Sequence, residues 1–174
     1  MAERTYTPLF SEVLEKVSRA KTKGKKIEIL RQEDSQALRM VLKGSFDPNI
    51  DWLLPQGPVP YVANEAAEGT EHTTLAREAR SLYHYIKGGN NKLAQNKREM
   101  MFIQLLEGLH HKEAELLVAT KDKKLHQVYK GLSSNVVKEA FGWNENYIRP
   151  DTIKPASPDT LSRYPQAPGT ASGI

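Results

Sequence analysis

Hydrophobic positions near the start of the chain recur at the spacing of amphipathic helices, with one apolar face per segment. Three such segments precede residue 44, and Ser35 is suited to cap the third at its N-terminus. The pattern therefore predicts three helices. Their apolar positions are Leu9, Phe10, Val13, Leu14 and Val17 in the first, Ile27, Ile29 and Leu30 in the second, and Leu38, Val41 and Leu42 in the third.

The same periodicity returns in the second half of the chain. Thr73 and Thr74 are suited to cap a helix that reaches Ile86, and the Gly-Gly-Asn-Asn stretch 88–91 tolerates the positive φ that ends helices. Further helices are predicted over 96–109, 111–120 and 133–141. The inward positions are Leu75, Ala79, Leu82, Tyr83 and Ile86; Met101, Leu105, Leu106 and Leu109; Ala114, Leu117 and Val118; and Val136, Val137, Ala140 and Phe141.

Two proline-rich segments interrupt this regular pattern, because proline removes a backbone donor and breaks helices. The first is a long internal loop, 44–72, and the second is a tail, 143–174. We predict an all-α fold, an irregular bundle of about six or seven helices in a domain of residues 1–142. The tail is predicted to be extended or disordered.

Composition supports one folded domain. The 174 residues are 39% hydrophobic and 26% charged, a globular balance, and the length suits a single core. No cysteine is present, so disulfides and thiolate chemistry are excluded. The first residues do not resemble a signal peptide and no stretch is long enough for a membrane span, so we expect a protein of the cytoplasm. A net charge of +4 favours an anionic partner.

The positive charge is concentrated in two short segments. The first straddles the turn between the first two predicted helices, where six cations could neutralise several phosphates of a duplex. The second leads through Gly131 into a helix that Ser133 or Ser134 caps, and free amides at such a start can hold a phosphate oxygen. Alternatively, both segments are ordinary solvated turns. The candidate residues are Lys16, Arg19, Lys21, Lys23, Lys25 and Lys26, with Lys121, Lys123, Lys124, Lys130, Gly131, Ser133, Ser134 and Lys138.

The sequence offers little for catalysis. No P-loop, dinucleotide-binding GxGxxG or GxSxG nucleophile elbow is present, and we expect no cofactor. We also expect no metal site, because the adjacent His110 and His111 do not share a helix face and no HExxH occurs. Glu113 and Glu115 lie two apart, so we expect them to decorate a helix surface. The protein is predicted not to be an enzyme.

Aromatic residues divide into two groups. Tyr83, Tyr85 and Phe102 follow helical periodicity and are predicted to lie in the core. Rings on proline-rich segments often dock into a partner or back onto their own domain, and docking on its own domain is favoured for Trp143. The candidate partner-binding residues are Trp52, Tyr61, Trp143, Tyr147 and Tyr164.

The segment LLVATKDKKLHQVYKGLSSNVVKEAF, residues 116–141, resembles the N-terminal helical DNA-binding domain of ATP-dependent DNA ligases, and EVLEKVSRAKTKGKKIEILRQED resembles the start of its tailed-phage version. The likeness covers about residues 9–141, and stand-alone phage proteins of this length also resemble the chain. The matching positions are Lys121, Asp122, Lys124, Leu125, Gly131, Ser133, Val137, Lys138, Ala140 and Phe141.

The resemblance implies a module that holds duplex DNA by its backbone, with Gly131, Ser133, Ser134 and nearby lysines at the phosphates. Two features depart from the ligase pattern: residues 126–129 are accommodated before the lysine-glycine turn, and leucine follows Gly131 in place of valine. No KxDG adenylation motif is present, so the chain cannot ligate DNA.

Together these features predict a non-enzymatic, phage-encoded DNA-binding accessory protein that grips duplex backbone without sequence specificity in the host cytoplasm. The alternative is a phage assembly or protein-interaction component, in the virion or bound to other subunits, whose loop and tail wrap partners. A third interpretation is an adaptor for phage or host replication or transcription proteins.

Overall fold

The computed structural model describes residues 7–65 and 71–150, and every regular element in these ranges is a helix. The prediction of an all-α fold is confirmed. Residues 151–174, which include Tyr164 and most of the predicted tail, lie outside the described residues. The elements are α1 Phe10–Arg19, α2 Lys23–Gln32, α3 Gln36–Phe46, α4 Leu75–Glu78, a 3₁₀ helix Ala79–Tyr85, α5 Gln95–Gly108, α6 His111–Lys121, α7 Leu125–Val128 and α8 Ser134–Phe141.

Three helices begin where hydroxyl side chains were predicted to cap them. The Ser35 hydroxyl accepts from the Leu38 amide at 3.1 Å, and Thr74 and Ser133 make the same bond to the amide three residues ahead. Each bond satisfies one of the amides that the first helical turn leaves without a partner. The predicted N-termini of α3, α4 and α8 are therefore confirmed.

Helix α6 lies at the centre of the bundle. It packs against α1, α3, α5 and α7, and Leu116 and Leu117 within it are fully buried. Helix α2 packs between α1 and α8. The apolar stripes predicted for α1, α3 and α8 all enter the core. Because α2 contacts both α1 and α8, these three helices form one side of the molecule.

The helix predicted from Thr74 to Ile86 is wrong in its second half. After one α-helical turn the chain tightens into the 3₁₀ helix, in which side chains three apart share a face. Ala79, Leu82 and Tyr85 are buried accordingly, whereas Tyr83 is 47% exposed and not in the core as predicted. Ile86 leaves the helix altogether and forms an antiparallel bridge with residue 52 of the long loop.

The turn that follows the 3₁₀ helix depends on a close backbone approach. A Cβ on Gly89 would lie 2.0 Å from the Tyr83 carbonyl oxygen, so no larger residue fits there. The buried side chain of Arg98 then fixes the turn by donating to the carbonyls of His84, Asn90 and Leu93. Arg98 can be buried at this position because backbone carbonyls satisfy its donors.

One carboxylate joins the N-termini of two helices. Glu113 of α6 is fully buried, and its Oε2 accepts from the Phe10 amide of α1 at 2.9 Å. Its Oε1 accepts from the Leu75 amide of α4 at 3.0 Å. The expectation that Glu113 decorates a surface is therefore wrong, whereas Glu115 is exposed as expected. Burial raises the pKa of Glu113 above its ordinary value, although the two amide bonds oppose this shift.

Replacing Glu113 by Gln should destabilise the protein by about 1–3 kcal/mol, because an amide nitrogen then faces a helix amide and one acceptor is removed. The raised pKa adds a pH dependence. Stability that the carboxyl contributes is fully present below about pH 4.5 and declines as pH rises through the folded-state pKa. The penalty of Glu113→Gln should therefore be largest in acid, as measured by urea unfolding at several pH values.

Glu115→Gln supplies the matched control, since this exposed carboxylate lies on the same helix. It should change the free energy of unfolding by less than about 0.5 kcal/mol. Equal penalties for the two substitutions would show that the bridge between α1 and α4 contributes nothing.

The long loop is packed against the helices. The Trp52 indole nitrogen donates to the Gly44 carbonyl of α3 at 2.9 Å, and the Leu53 amide donates to the Tyr85 carbonyl at 2.7 Å. The Trp52 ring lies so close to α3 that a Cβ on Gly44 would be 2.9 Å from it and 3.2 Å from a Thr120 methyl. Glycine at position 44 is thus required by packing.

Gly44→Ala should destabilise the protein by about 1–3 kcal/mol, because the ring of Trp52 must shift out of the core. Gly24→Ala in α2 is the matched control, since nothing lies within 4 Å of its added methyl. That substitution should stabilise by up to about 1 kcal/mol through helix propensity and chain entropy. Thermal unfolding of both variants measures the difference, and a stabilising Gly44→Ala would contradict the packing argument.

The chain beyond α8 folds back onto the bundle. The Trp143 ring lies 5.1 Å from that of Phe141 and 5.9 Å from that of Tyr147, centroid to centroid. Tyr147 is buried, and the Arg149 guanidinium donates to the Phe141 carbonyl at 3.0 Å. The folded body therefore extends past the boundary predicted at residue 142.

Candidate nucleic-acid interface

The two basic segments meet on the side of the molecule formed by α1, α2 and α8. The Ser18 hydroxyl at the end of α1 donates to the Lys130 carbonyl at 2.8 Å. The Lys26 side chain crosses directly over Gly131, where an added Cβ would lie 2.6 Å from its Cε. Lys26 also donates to the Ala20 carbonyl at 2.8 Å, which ties it to the turn between α1 and α2.

Local sequence explains why both segments take this shape. Thr22 caps α2 by accepting from the Lys25 amide at 3.2 Å, so Lys23 and Lys25 stand in the first turn of that helix. Gly131 has a φ of +90°, a value that favours glycine, and it lets the chain turn into the Ser133 cap of α8. The N-termini of α2 and α8, each with free backbone amides, therefore lie within the two basic segments.

The cations of this surface are solvent-accessible, but carboxylates lie among them. Lys16, Lys21 and Lys130 are exposed and have no carboxylate within salt-bridge distance among the described residues. Three neighbouring cations are paired. Such exposed pairs contribute about 0–1 kcal/mol, so a phosphate can compete for the cation. The pairs are Arg19 with Glu15 at 3.6 Å, Lys23 with Glu139 at 2.9 Å, and Lys25 with Glu28 at 3.5 Å.

An open depression lies at the centre of this basic turn. Lys16, Arg19, Lys21 and Lys25 surround it, and its floor includes the half-buried side chain of Ile29. The rim is cationic and the floor is apolar, which suits contact with sugar and phosphate groups together. We define the basic surface as residues 16–26 with 130–134.

Two lysines of the second basic segment are turned inward instead. The Lys121 side chain has no exposed area, and its ammonium donates to the Pro55 carbonyl at 2.7 Å and the Gly57 carbonyl at 3.1 Å. Lys123 donates to the Asp47 carbonyl at 2.6 Å, and burial lowers its pKa. This corrects the expectation for both residues. Both lysines fasten the long loop to the end of α6, because the backbone carbonyls of the loop need hydrogen-bond donors. They therefore do not belong to the basic surface.

Two further lysines also lie apart from the basic surface. The Lys138 ammonium pairs with Glu145 at 2.8 Å, a bond that raises its pKa, and it lies over the Tyr147 ring. Lys124 is exposed but lines a groove beside the long loop. The contacts of both lysines are thus with residues outside the basic surface.

The aromatic residues proposed as partner anchors pack on their own domain. Trp52, Tyr61 and Trp143 are partly buried against the core, and Tyr147 is 5% exposed. Burial raises the pKa of Tyr61, with a further contribution from Glu115. Much of the apolar surface of these rings is therefore packed against their own domain. The prediction that Trp143 docks on its own domain is confirmed.

Sequence reasoning missed Ser18, whose hydroxyl joins the two basic segments. No local pattern marks it, since its partner carbonyl lies 112 residues away. Within the described ranges there is no group of three or more His, Asp or Glu side chains that could hold a metal ion. Nor does any described helix have the length and hydropathy of a membrane span.

Fold and surface define this chain as a small all-α protein with a basic surface built from two segments that are distant in the sequence. The sequence profile of a family of unknown function, DUF6433, matches residues 13–127, well over half of the chain. The chain belongs to that family. No curated protein and no solved structure matches it. The matched residues include the basic turn at 16–26 but end before 130–134. Because none of these comparisons matches a ligase, the likeness to ligase domains stays a prediction.

Lys121→Met should destabilise the protein by about 3 kcal/mol, because the Asp122 carboxylate and two loop carbonyls lose their donor. Lys124→Met is the matched control, since Lys124 is exposed and makes no salt bridge among the described residues. It should change stability by less than about 0.5 kcal/mol. Urea unfolding checks both values, and equal effects would show that Lys121 does not hold the loop.

Proposed function

We propose that the protein is a non-enzymatic nucleic-acid-binding module whose basic surface grips the phosphate backbone of duplex DNA. The observation that carries the proposal is the hydrogen bond between Ser18 and Lys130, which brings the two basic segments onto one surface. Cations from distant parts of the chain then face the same ligand. Each phosphate that they neutralise releases condensed counterions and adds to affinity.

The exposed side chains favour a duplex over a single strand. Proteins that bind single strands stack bases on aromatic rings. Among the described Phe, Trp and Tyr residues, Tyr83 is the one with an exposed side chain, and it lies on the 3₁₀ helix, which packs against α3, α4 and α5. The basic surface, on α1, α2 and the start of α8, offers cations, a serine cap and helix amides. Such groups position a backbone and carry no sequence information.

The role of an accessory protein in a phage-infected cell rests on the resemblance to phage ligase domains alone. The same resemblance supports the placement of Gly131, Ser133 and Ser134 at phosphates. Serine hydroxyls and amides at the start of α8 are suited to that role, because a helix N-terminus favours an anion.

Replacing Lys16, Lys21 and Lys130 together by Gln should weaken binding to a fluorescent duplex. The slope of log affinity against log salt should become shallower by about 0.9 for each phosphate that is no longer neutralised. Anisotropy titrations at several salt concentrations measure this slope. These three residues are suited to the test because they are exposed and, among the described residues, make no ion pair whose removal would unfold the protein.

The control replaces Lys87, Lys92 and Lys97 by Gln, which removes the same charge from exposed positions near the start of α5. This variant should retain the slope of the unaltered protein. Absence of duplex binding at low salt, or equal weakening in both variants, would refute the proposal.

A further inference from the structure

Exposed apolar side chains gather around the long loop. Among the described residues, the large hydrophobic side chains that are exposed are Val62, Tyr83, Met100 and Val128. Val62 belongs to the loop, and Val128 lines a groove beside it. Met100 lies one helical turn before Ile103, which lines a pocket on the other side of the loop. Val62 and Val128 therefore lie in the loop and beside it.

The pocket lies between the loop and α5. Its volume is about 140 Å³, and its lining is mainly apolar, from Leu54, Pro55, Phe102 and Ile103 among others. An apolar cavity of about 150 Å³ accommodates benzene, so this pocket has room for one leucine or phenylalanine side chain. The ammonium of Lys121, which also lines it, already donates to loop carbonyls and to Asp122.

A second, more open groove lies across the loop from this pocket. The two depressions share Pro58 and Val59, which form a ridge between them. The groove is lined by Tyr61, Val118 and Val128. A chain that crosses the ridge can therefore bury one apolar side chain on each side. We call the ridge with its two depressions the Pro58 surface.

The Pro58 surface is held in shape before any partner arrives. Asp122 accepts from the Gly57 amide at 3.2 Å, and Gln95 donates to the Leu53 carbonyl at 2.8 Å. Glu107 accepts from the Val62 amide at 3.0 Å, beyond the ridge. A preformed pocket reduces the entropy lost on binding. The buried Lys121, which fastens the same loop, contributes to this rigidity.

Charge indicates the kind of segment that fits. Glu99 lines the pocket and Glu115 lines the groove, whereas Lys124 is the one exposed cation among the lining residues. Asp122 and Lys121 neutralise each other. The Pro58 surface is therefore apolar with a negative balance, although the whole chain carries +4. A segment with cations beside its apolar anchors is complementary to it.

We propose that the Pro58 surface docks an extended segment of a partner protein that has two large apolar side chains and flanking lysine or arginine. The two surfaces are built mainly from different elements, although Val128 of the Pro58 surface and Lys130 of the basic surface are two residues apart in the chain. If the basic surface holds duplex DNA, as proposed above, the protein then links that DNA to the partner protein that carries the docked segment.

A random peptide library, selected on the immobilised full-length protein, tests the proposal. Selected peptides should carry two large apolar residues and net positive charge. They should bind about tenfold more weakly to a variant with Glu99→Gln and Val128→Lys, which removes a carboxylate from the pocket and places a cation in the groove. Tyr83→Lys makes the matching change at an exposed side chain that lines neither depression and should leave affinity unchanged. Thermal unfolding of each variant confirms that it is folded.

Several results would overturn the proposal. These are no enrichment of peptides, enrichment of acidic peptides, or equal binding to the double variant and to the unaltered protein. A dimer in sedimentation that dissociates on Val128→Lys would assign the surface to a second copy of this chain. Amide shifts at residues 54–62 on changing Leu161 and Tyr164 to serine, without peptide, would assign it to the C-terminal segment of the chain itself.

Discussion

The carboxylate of Glu113 is the interaction on which the arrangement of the bundle depends. It accepts from the first amides of α1 and α4, which lie 103 and 38 residues away from it along the chain. Amides at helix N-termini carry partial positive charge, so two of them offset part of the cost of burying this carboxylate, although burial still raises its pKa. The Glu113 bond positions the start of α1, and Ser18 near the end of the same helix donates to the Lys130 carbonyl. The basic surface therefore depends on a hydrogen bond inside the core.

Helix α6 organises both ends of the molecule. Glu113 near its start holds two helices, and Lys121, Asp122 and Lys123 at its end hold the long loop. A loop rich in proline lacks the amides for regular structure, and its carbonyls therefore depend on side-chain donors. Buried lysines supply them. The same residues that a charge count assigns to DNA thus give the loop a fixed shape, and with it the pocket beside α5.

Sequence periodicity correctly predicted helices such as α1 and α3, in which the predicted apolar positions are the buried ones. Local hydrophobic spacing is enough to predict such helices. It failed after Ala79, where a bridge between Trp52 and Ile86 and the tighter 3₁₀ spacing are tertiary effects. For the candidate site, Lys16 and Lys21 are exposed, as a contact with phosphate requires. The inward turn of Lys121 could not be predicted, since its acceptors Pro55 and Gly57 lie 66 and 64 residues away.

The close approach at Gly89 has an evolutionary consequence. The atom that excludes a side chain there is the carbonyl oxygen of Tyr83, 2.0 Å from the position of a Cβ. Every residue type carries that oxygen, so no change at position 83 can make room. An ordinary core contact can be relieved by shrinking the neighbour, whereas this one can be relieved only by rebuilding the main chain. Glycine at position 89 therefore cannot be exchanged through any pair of compensating substitutions that keeps this turn.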